Sequence, residues 1–251
     1  MRVRRTSKIK AGKAAKQYVF REMPFGVSID HDIAQRFPDF QLNVIFDVGA
    51  NVGQSALRYA STYPSSAIYC FEPIKATHER LLRNIERKDH KGQVQCFNMA
   101  LGASEGTGTM VSDGVSTMNY LVNESRTHAA NLKKTESVNI STLDEFCKAN
   151  QISKISYLKI DTEGGDLDVL KGSEELLNTK GVDIVEVEAG MNPNNKHHVP
   201  LEILKAFLEE NSYFIFGIYE QVNEWPKREP HLRRSNIVFI SEEMIRNSRR
   251  R

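Results

Sequence analysis

The stretch Asp47-Val48-Gly49-Ala50-Asn51-Val52-Gly53 constrains the fold of this 251-residue chain more than any other. It closes the apolar run Val44-Ile45-Phe46 and opens into a helix-like segment, Gln54 to Tyr59. A strand, a tight glycine turn and a helix N-terminus in direct succession begin a parallel α/β unit. The next apolar run, Ile68-Tyr69-Cys70-Phe71, ends on Glu72. A glycine turn after one strand, with an acid closing the next, is how an open α/β sheet holds an adenosine-containing cofactor.

From Asn43 onward the pattern alternates. It predicts strands at 43–48, 67–72, 94–99, 155–160, 182–188, 213–219 and 236–240, and helices at 53–62, 75–88, 142–150, 166–178 and 199–211. Several strands are near-continuous apolar runs, as expected when both faces of a sheet are covered. The fold class is therefore α/β, a mostly parallel, doubly wound sheet. The last two strands have no helical pattern between them. Their connector, 220–235, is polar and carries Trp225, Pro226 and Pro230, so the sheet is expected to end in an antiparallel pair. Gly102, Gly106, Gly108 and Gly114 punctuate a hairpin-rich insertion over 102–140. Residues 1–40 read as a basic N-terminal extension, helical over Ala11 to Glu22 and again near Asp30 or Asp32, leaving 41–251 as the main domain.

Net charge is +2, so bulk electrostatics call for no polyanionic partner. The charge is uneven: eight basic residues from Arg2 to Arg21 precede the first acid, Glu22, and Arg246, Arg249, Arg250 and Arg251 crowd the other end. These read as solvated tails, or as an electrostatic foot for peripheral contact with an anionic membrane, a glycan or nucleic acid. Only Tyr18 and Phe20 lie among the basic residues, late in the N-terminal stretch, which disfavours nucleic acid as a partner. No run approaches the roughly 18 apolar residues of a membrane span. The N-terminal stretch has no apolar signal core. Cys70, Cys96 and Cys147 are odd in number and lack metal spacing, so a cytoplasmic location is expected.

The spacing inside the turn chooses the cofactor. A dinucleotide site needs Gly-x-Gly-x-x-Gly for its pyrophosphate. Counting from Gly49, the second and third glycine positions are Asn51 and Gln54. The pattern present is acid-x-Gly-x-x-x-Gly, carried by Asp47, Gly49 and Gly53. It suits a cofactor without a pyrophosphate whose amino-acid end lies over the turn, which is S-adenosylmethionine. Asp47 would meet its ammonium group, and Glu72 would accept both ribose hydroxyls. Asn98 is either an adenine partner or a turn residue, with Met99 or Leu101 packing on the ring.

Together the ordered motifs resemble the FkbM-type methyltransferases. The resemblance rests on Asp47 to Gly53, then Phe71-Glu72-Pro73, Ala100-Leu101-Gly102 and Leu158-Lys159-Ile160-Asp161-Thr162-Glu163-Gly164. It runs from about Asn43 to Ser241, and Asn51 inside the turn is itself typical of that family. It implies a class I Rossmann-like methyltransferase fold, cofactor contacts from Asp47, Gly49, Asn51, Gly53, Glu72, Asn98, Ala100 and Asp161, and O-methylation, often of sugars or other hydroxyl-bearing natural products. Gly165 and Asp166 replace the family's usual alanine and glutamate.

Methyl transfer to a hydroxyl needs a base or a metal. Active groups in an open sheet gather at the carboxyl ends of strands. Asp161 is the first candidate for base, or for ligand to a divalent ion with Glu188; it could equally cap a helix or bind the cofactor's amino group. Glu163 and Glu188 are supporting catalytic candidates, and Glu186 reads as an ion-pair partner. Ser116, His198 and His231 are the substrate candidates. His197 and His198 read as a base, as metal ligands or as exposed loop residues, and Trp225 as a sugar-stacking ring or a packing anchor. An Asn/Asp-Pro-Pro-aromatic element and a Pro-Cys loop are both absent, which disfavours nucleobase methylation. The expected function is O-methylation of a sugar, glycan or small natural product. The alternatives are RNA ribose methylation, a non-catalytic S-adenosylmethionine-binding protein and a basic-tail interaction protein.

Overall fold

The computed structural model describes residues 4–6, 17–19, 23–112, 120–121, 134–225 and 228–249. The chain divides into two compact units, Met1–Phe40 and Gln41–Arg251. In the first, β1 (Arg4–Thr6) pairs antiparallel with β2 (Gln17–Val19), and α1 (Ile29–Arg36) begins where the Ser28 side chain accepts from the His31 amide. The helix expected over Ala11 to Glu22 is therefore a strand where it is described. Tyr18-Val19 is aromatic and β-branched, and pairing with β1 outweighs the helix-favouring residues around it.

The second unit is built on a seven-stranded sheet. Its strands are β3 (Val44–Val48), β4 (Ala67–Phe71), β5 (Val94–Phe97), β10 (Ile155–Ile160), β11 (Val182–Gly190), β12 (Tyr213–Glu224) and β13 (Glu229–Ser241), in the order β12-β13-β11-β10-β3-β4-β5. All neighbours are parallel except β13, which runs antiparallel to both β11 and β12. All six residues of β10 are buried, as a central strand covered on both faces requires. Helices α2 (Gln54–Thr62), α3 (Lys75–Arg87), α4 (Leu143–Ala149), α5 (Asp166–Lys171), α6 (Glu174–Asn178) and α7 (Leu201–Glu210) alternate with the strands. Thr142 caps α4 by accepting from the Glu145 amide. On the α4 side, Phe46, Phe71, Phe97 and Phe146 pack as one aromatic cluster, with Phe71 and Phe146 edge to face at 4.8 Å. Full burial of rings such as Phe46 and Phe71 stabilises the fold by about 1.5–3 kcal/mol each.

The insertion forms a second sheet. β6 (Ala100–Leu101), β7 (Gly106–Ser112), β8 (Tyr120–Leu121) and β9 (Lys134–Ser141) lie in the order β6-β9-β7-β8, with β7 and β9 antiparallel.

Three boundaries differ from the sequence reading. The helix expected over 166–178 is two helices, broken at Gly172. A Cβ there would lie 2.0 Å from the Gly102 carbonyl oxygen, so the break lets α5 approach the start of the insertion. The polar connector 220–235 is mostly strand, because β12 is an edge strand and tolerates polar residues on its open side. A final helix, α8 (Glu242–Arg249), is almost wholly polar. It buries Met244 and pairs Arg246 with Glu242 at 2.8 Å. Among the described residues no helix is long and apolar enough to cross a membrane. Most of the basic residues at the two ends lie outside the described residues.

Candidate active site

The chain turns one way after β3, toward β4 and β5, and the other way after β10. Between the carboxyl ends of β3 and β10 lies the crevice where open α/β sheets bind ligands. A cavity of about 600 Å³ opens there. Its wall runs from the turn after β3, past the ends of β4 and β6, to β11, β12 and β13.

The turn after β3 brings backbone to the cavity. Gly49 has φ +85°, and a Cβ there would fall 2.0 Å from the Asp161 carbonyl oxygen. Only glycine lets the β3 turn and the β10 end approach so closely. Gly49 and Ala50 donate to the Phe71 carbonyl, each at 3.0 Å. Asn51, at φ 50°, donates its amide to Glu72 Oε2 at 3.1 Å, and Ile74 donates to Glu72 Oε1 at 2.9 Å. Glu72 is nearly buried at the cavity wall. That burial pushes its carboxyl up to about 7, against the pull of the two amides. Asn98 donates to the Glu72 and Pro73 carbonyls at 3.0 and 2.8 Å and does not line the cavity. Met99, Ala100 and Leu101 form the wall beside it.

Lys159 crosses the sheet beneath this turn. In register it stands beside Asp47 on one side and Glu186 on the other. Its Nζ is 2.9 Å from Asp161 Oδ2 and 3.7 Å from Asp47 Oδ1. Burial works against the ammonium, but Asp47, Asp161 and Glu186 outweigh it and raise the Lys159 pKa. Asp47 is fully buried and does not line the cavity; burial raises its carboxyl pKa against the lysine's attraction. Glu186 accepts from Tyr157 Oη at 2.6 Å and from Asn236 Nδ2 at 2.7 Å. It belongs to a hydrogen-bonded network as well as facing the lysine. Gly53 opens α2 with φ 92° and likewise stays off the cavity wall.

Beyond Asp161 the carboxylates gather. Glu163, at φ 53°, and Glu188 flank His198, whose Nε2 lies 2.6 Å from Glu188 Oε2 and 3.7 Å from Glu163 Oε2. The other Glu188 oxygen accepts from Arg234. The Asn195 amide lies against His198 Nδ1, and its Oδ1 accepts from the amides of His197 and His198. Burial and the nearby Glu188 raise the Glu163 pKa, opposed by His198. Burial lowers the His198 pKa, but the hydrogen bond and charge of Glu188, with Glu163 behind, carry it above its ordinary value. Asp166, buried at the start of α5, accepts from Thr162 Oγ1 at 3.1 Å and the Gly164 amide at 3.3 Å, tying down the loop that carries Glu163. Burial pushes its carboxyl up to about 7.

The structure thus brings Gly49, Asn51, Glu72, Ala100, Asp161, Glu163, Glu188 and His198 onto one cavity. His231 is not among them: it stands half-exposed on β13 beside Glu229, at 3.5 Å. An outward position on the hairpin arm explains this. Ser116 lies outside the described residues. Among the described residues, the group that could hold a divalent ion is Glu163, Glu188 and His198, whose ligand atoms lie within 4.8 Å of one another. Asp161 is not part of it; its Oδ2 lies against Lys159 Nζ at 2.9 Å. Sequence reading missed Lys159 as a site residue, although a charge inside a strand buried on both faces is a readable signal. It also missed Arg234 and Asn236, whose partners Glu188 and Glu186 are remote in sequence and carry no local signal.

The chain matches the methyltransferase FkbM domain over residues 47–215. It is 28% identical over 153 residues to the hexuronic acid methyltransferase AglP of Haloferax volcanii; the match covers 61% of this chain and 59% of that protein. It is 28% identical over 182 residues to Methyltransferase 1 of Beauveria bassiana, covering 66% and 70%. The 2-O-methyltransferase NoeI of Sinorhizobium fredii is 24% identical over 145 residues, covering 53% and 58%.

Proposed function

The chain belongs to the methyltransferase FkbM domain family, and from that premise we propose that it methylates a hydroxyl of a sugar, glycan or small natural product, using S-adenosylmethionine. The observation that carries this is the single cavity joining the Gly49 turn and Glu72 to the Asp161, Glu163 and Glu188 carboxylates. The names of the Haloferax and Sinorhizobium relatives, a hexuronic acid methyltransferase and a 2-O-methyltransferase, support the hydroxyl as acceptor.

The residues present fit the cofactor. Glu72 offers a carboxylate whose two amide partners leave lone pairs for a ribose diol. Met99 and Leu101 give an apolar wall for a purine. The bare backbone at Gly49 leaves room over the turn, and Asp161, steadied by Lys159, places a second carboxylate on the cavity wall beside that turn. Bound there, S-adenosylmethionine supplies an electrophilic methyl carbon and a neutral thioether leaving group.

Glu163 acts on the acceptor. It is the more open carboxylate of the Glu163–Glu188–His198 cluster, and burial raises its pKa, which makes it a stronger base than an ordinary carboxylate. It takes the acceptor proton as the hydroxyl oxygen bonds to carbon. Glu188, held by Arg234 and His198, lies behind it and fixes the histidine. The ion pairs with Arg234 and His198 already provide the positive charge that a divalent ion would bring, so the cluster works as an acid–base site.

Calorimetry tests the cofactor assignment. S-adenosylmethionine should bind the intact chain, and Glu72→Ala should weaken it at least tenfold. Absence of binding, or unaltered binding by the variant, would overturn it.

A further inference from the structure

Resting on that reading, we propose that the β11–β13 end of the cavity is a subsite for an uncharged, hydroxyl-rich ring, seated on Trp225 and hydrogen-bonded to Asn236. Trp225 is the only tryptophan of the chain and stands at the tip of the β12–β13 hairpin. It lines the cavity mouth, yet it is 71% exposed. A ring packed as a structural anchor would be covered by its own chain; this indole is not. Its backbone is nonetheless pinned, its amide donating to the Asn223 carbonyl at 2.7 Å and its carbonyl accepting from Arg228 at 3.2 Å. A fixed, wetted aromatic face beside a polar cavity suits a ligand with an apolar face of its own, such as the C–H face of a sugar ring.

Asn236 gives the second, independent observation. It is 6% exposed and lines the cavity. Its Nδ2 donates to Glu186 Oε1 at 2.7 Å and faces Glu220 Oε2 at 3.4 Å, which sets the orientation of the amide. Its Oδ1 is buried and receives no hydrogen bond among the described residues. A buried acceptor without a donor, on a side chain that also lines the cavity, is one that a ligand hydroxyl can satisfy. Glu163 and Glu220 extend the same wall with further acceptors.

The charge of the ligand follows from the cations. Arg233 is paired with Glu224 at 3.1 Å, Arg234 with Glu188, and His198 sits between Glu188 and Glu163. Each positive group at this end already faces a carboxylate, and an anionic acceptor would meet Glu163, Glu188 and Glu220. An uncharged ring that donates hydrogen bonds avoids that repulsion.

As the only tryptophan, Trp225 is its own fluorescent reporter. The full chain is titrated, with and without saturating S-adenosylhomocysteine, with the methyl glycosides of glucose, galactose, mannose, xylose and fucose, and with glucuronate and galacturonate. At least one methyl glycoside should shift the emission saturably, at a Kd at least tenfold below either uronate. By calorimetry, Trp225→Ala should raise that Kd about tenfold and Trp225→Phe should recover part of the loss, with S-adenosylhomocysteine affinity unchanged in both. No response to any glycoside, equal or tighter uronate binding, or an unchanged Kd in Trp225→Ala would each overturn the subsite. Failure of S-adenosylhomocysteine to bind would instead strike the methyl-transfer reading, and the titrations without it would still decide the subsite.

Discussion

At the β3–β5 end of the cavity the wall is largely backbone and small or apolar side chains: the Gly49 turn, the amides of Asn51 and Ile74 around Glu72, and Met99 to Leu101. At the β11–β13 end it is charged and polar side chains braced against one another: Glu163, Glu188, His198, Arg234 and Asn236. The first end is shaped by where the chain can pass, the second by which charges neutralise which. A backbone-built wall suits an invariant cofactor. A side-chain wall can be re-cut for different acceptors without touching the turn. Lys159 lies between the two and joins them through Asp47, Asp161 and Glu186.

The largest effect should come at the side-chain end. Glu163→Gln keeps the size of the residue and removes the proposed base, and kcat should fall by about 10²–10⁴-fold. S-adenosylmethionine affinity should barely change. A loss of cofactor affinity equal to the loss in kcat would show that the two ends are not separable.

Lys159→Met is the test of the joint. It leaves Asp47, fully buried, without its counter-charge, and removing one partner of a buried pair costs about 3–5 kcal/mol. Chemical denaturation should show that loss together with weaker cofactor binding, since Asp161 loses its brace. A variant as stable as the parent would mean that Asp47 takes up a proton at little cost. Gly49→Ala attacks the backbone end directly. A methyl group 2.0 Å from the Asp161 carbonyl, at φ +85°, must push β3 and β10 apart. The loss should be on the order of 1–3 kcal/mol, with cofactor binding weakened more than stability.

The same contrast explains what could be read before the fold was known. Asp47 to Gly53 and Glu72 are contiguous signals, because backbone turns and strand ends are written locally. The alternation of strands and helices was legible for the same reason, as was the antiparallel end of the sheet. Glu163, Glu188 and His198 could be named singly, since strand ends collect functional groups. Their union could not be seen, because it depends on β11 and its following loop folding back over the end of β10. Arg234 and Asn236 were hidden further, inside a polar stretch that looks like a loop and is a strand. The edge position of β12 permits polar residues that local patterning counts against a strand. Asp47 and Asn98 read as cofactor contacts in the sequence, and the structure sets both off the cavity wall: Asp47 stands beside Lys159, and Asn98 donates to the Glu72 and Pro73 carbonyls.

A smaller effect separates the ends by pH. Glu72 titrates near 7 in the ligand-free protein because burial disfavours its charge. If only the carboxylate accepts the ribose hydroxyls, affinity for S-adenosylmethionine should fall about tenfold between pH 8 and pH 6. Ligand-free stability should move the opposite way. Between 4.5 and about 7 the folded state holds a proton that the unfolded chain releases, so stability falls as pH rises through that window. Calorimetry and denaturation across pH 5–8 read both slopes. Glu72→Gln should flatten each, and two slopes of the same sign would remove Glu72 from the role.

The smallest expected effect is none. Glu163, Glu188 and His198 have the spacing of a metal site and crowd two carboxylates together: burial and Glu188 raise the Glu163 pKa, and burial lowers that of His198 while Glu188 and Glu163 carry it upward. Two arrangements relieve such crowding: a divalent ion, or protein cations. Here Arg234 and His198 occupy both oxygens of Glu188. A divalent ion would have to displace the 2.6 Å His198 contact and sit near the arginine's charge, losing through repulsion what it gained in ligation. Turnover should therefore survive EDTA followed by dialysis, and added magnesium or manganese should change kcat by less than about twofold. Arg234→Ala turns the comparison around. With the competing cation gone, the same three ligands should become responsive to manganese, readable by the paramagnetic broadening of its resonance. A parent enzyme that loses activity in EDTA and recovers it with manganese would place a metal, rather than Arg234 and His198, as the charge that holds the acceptor end together.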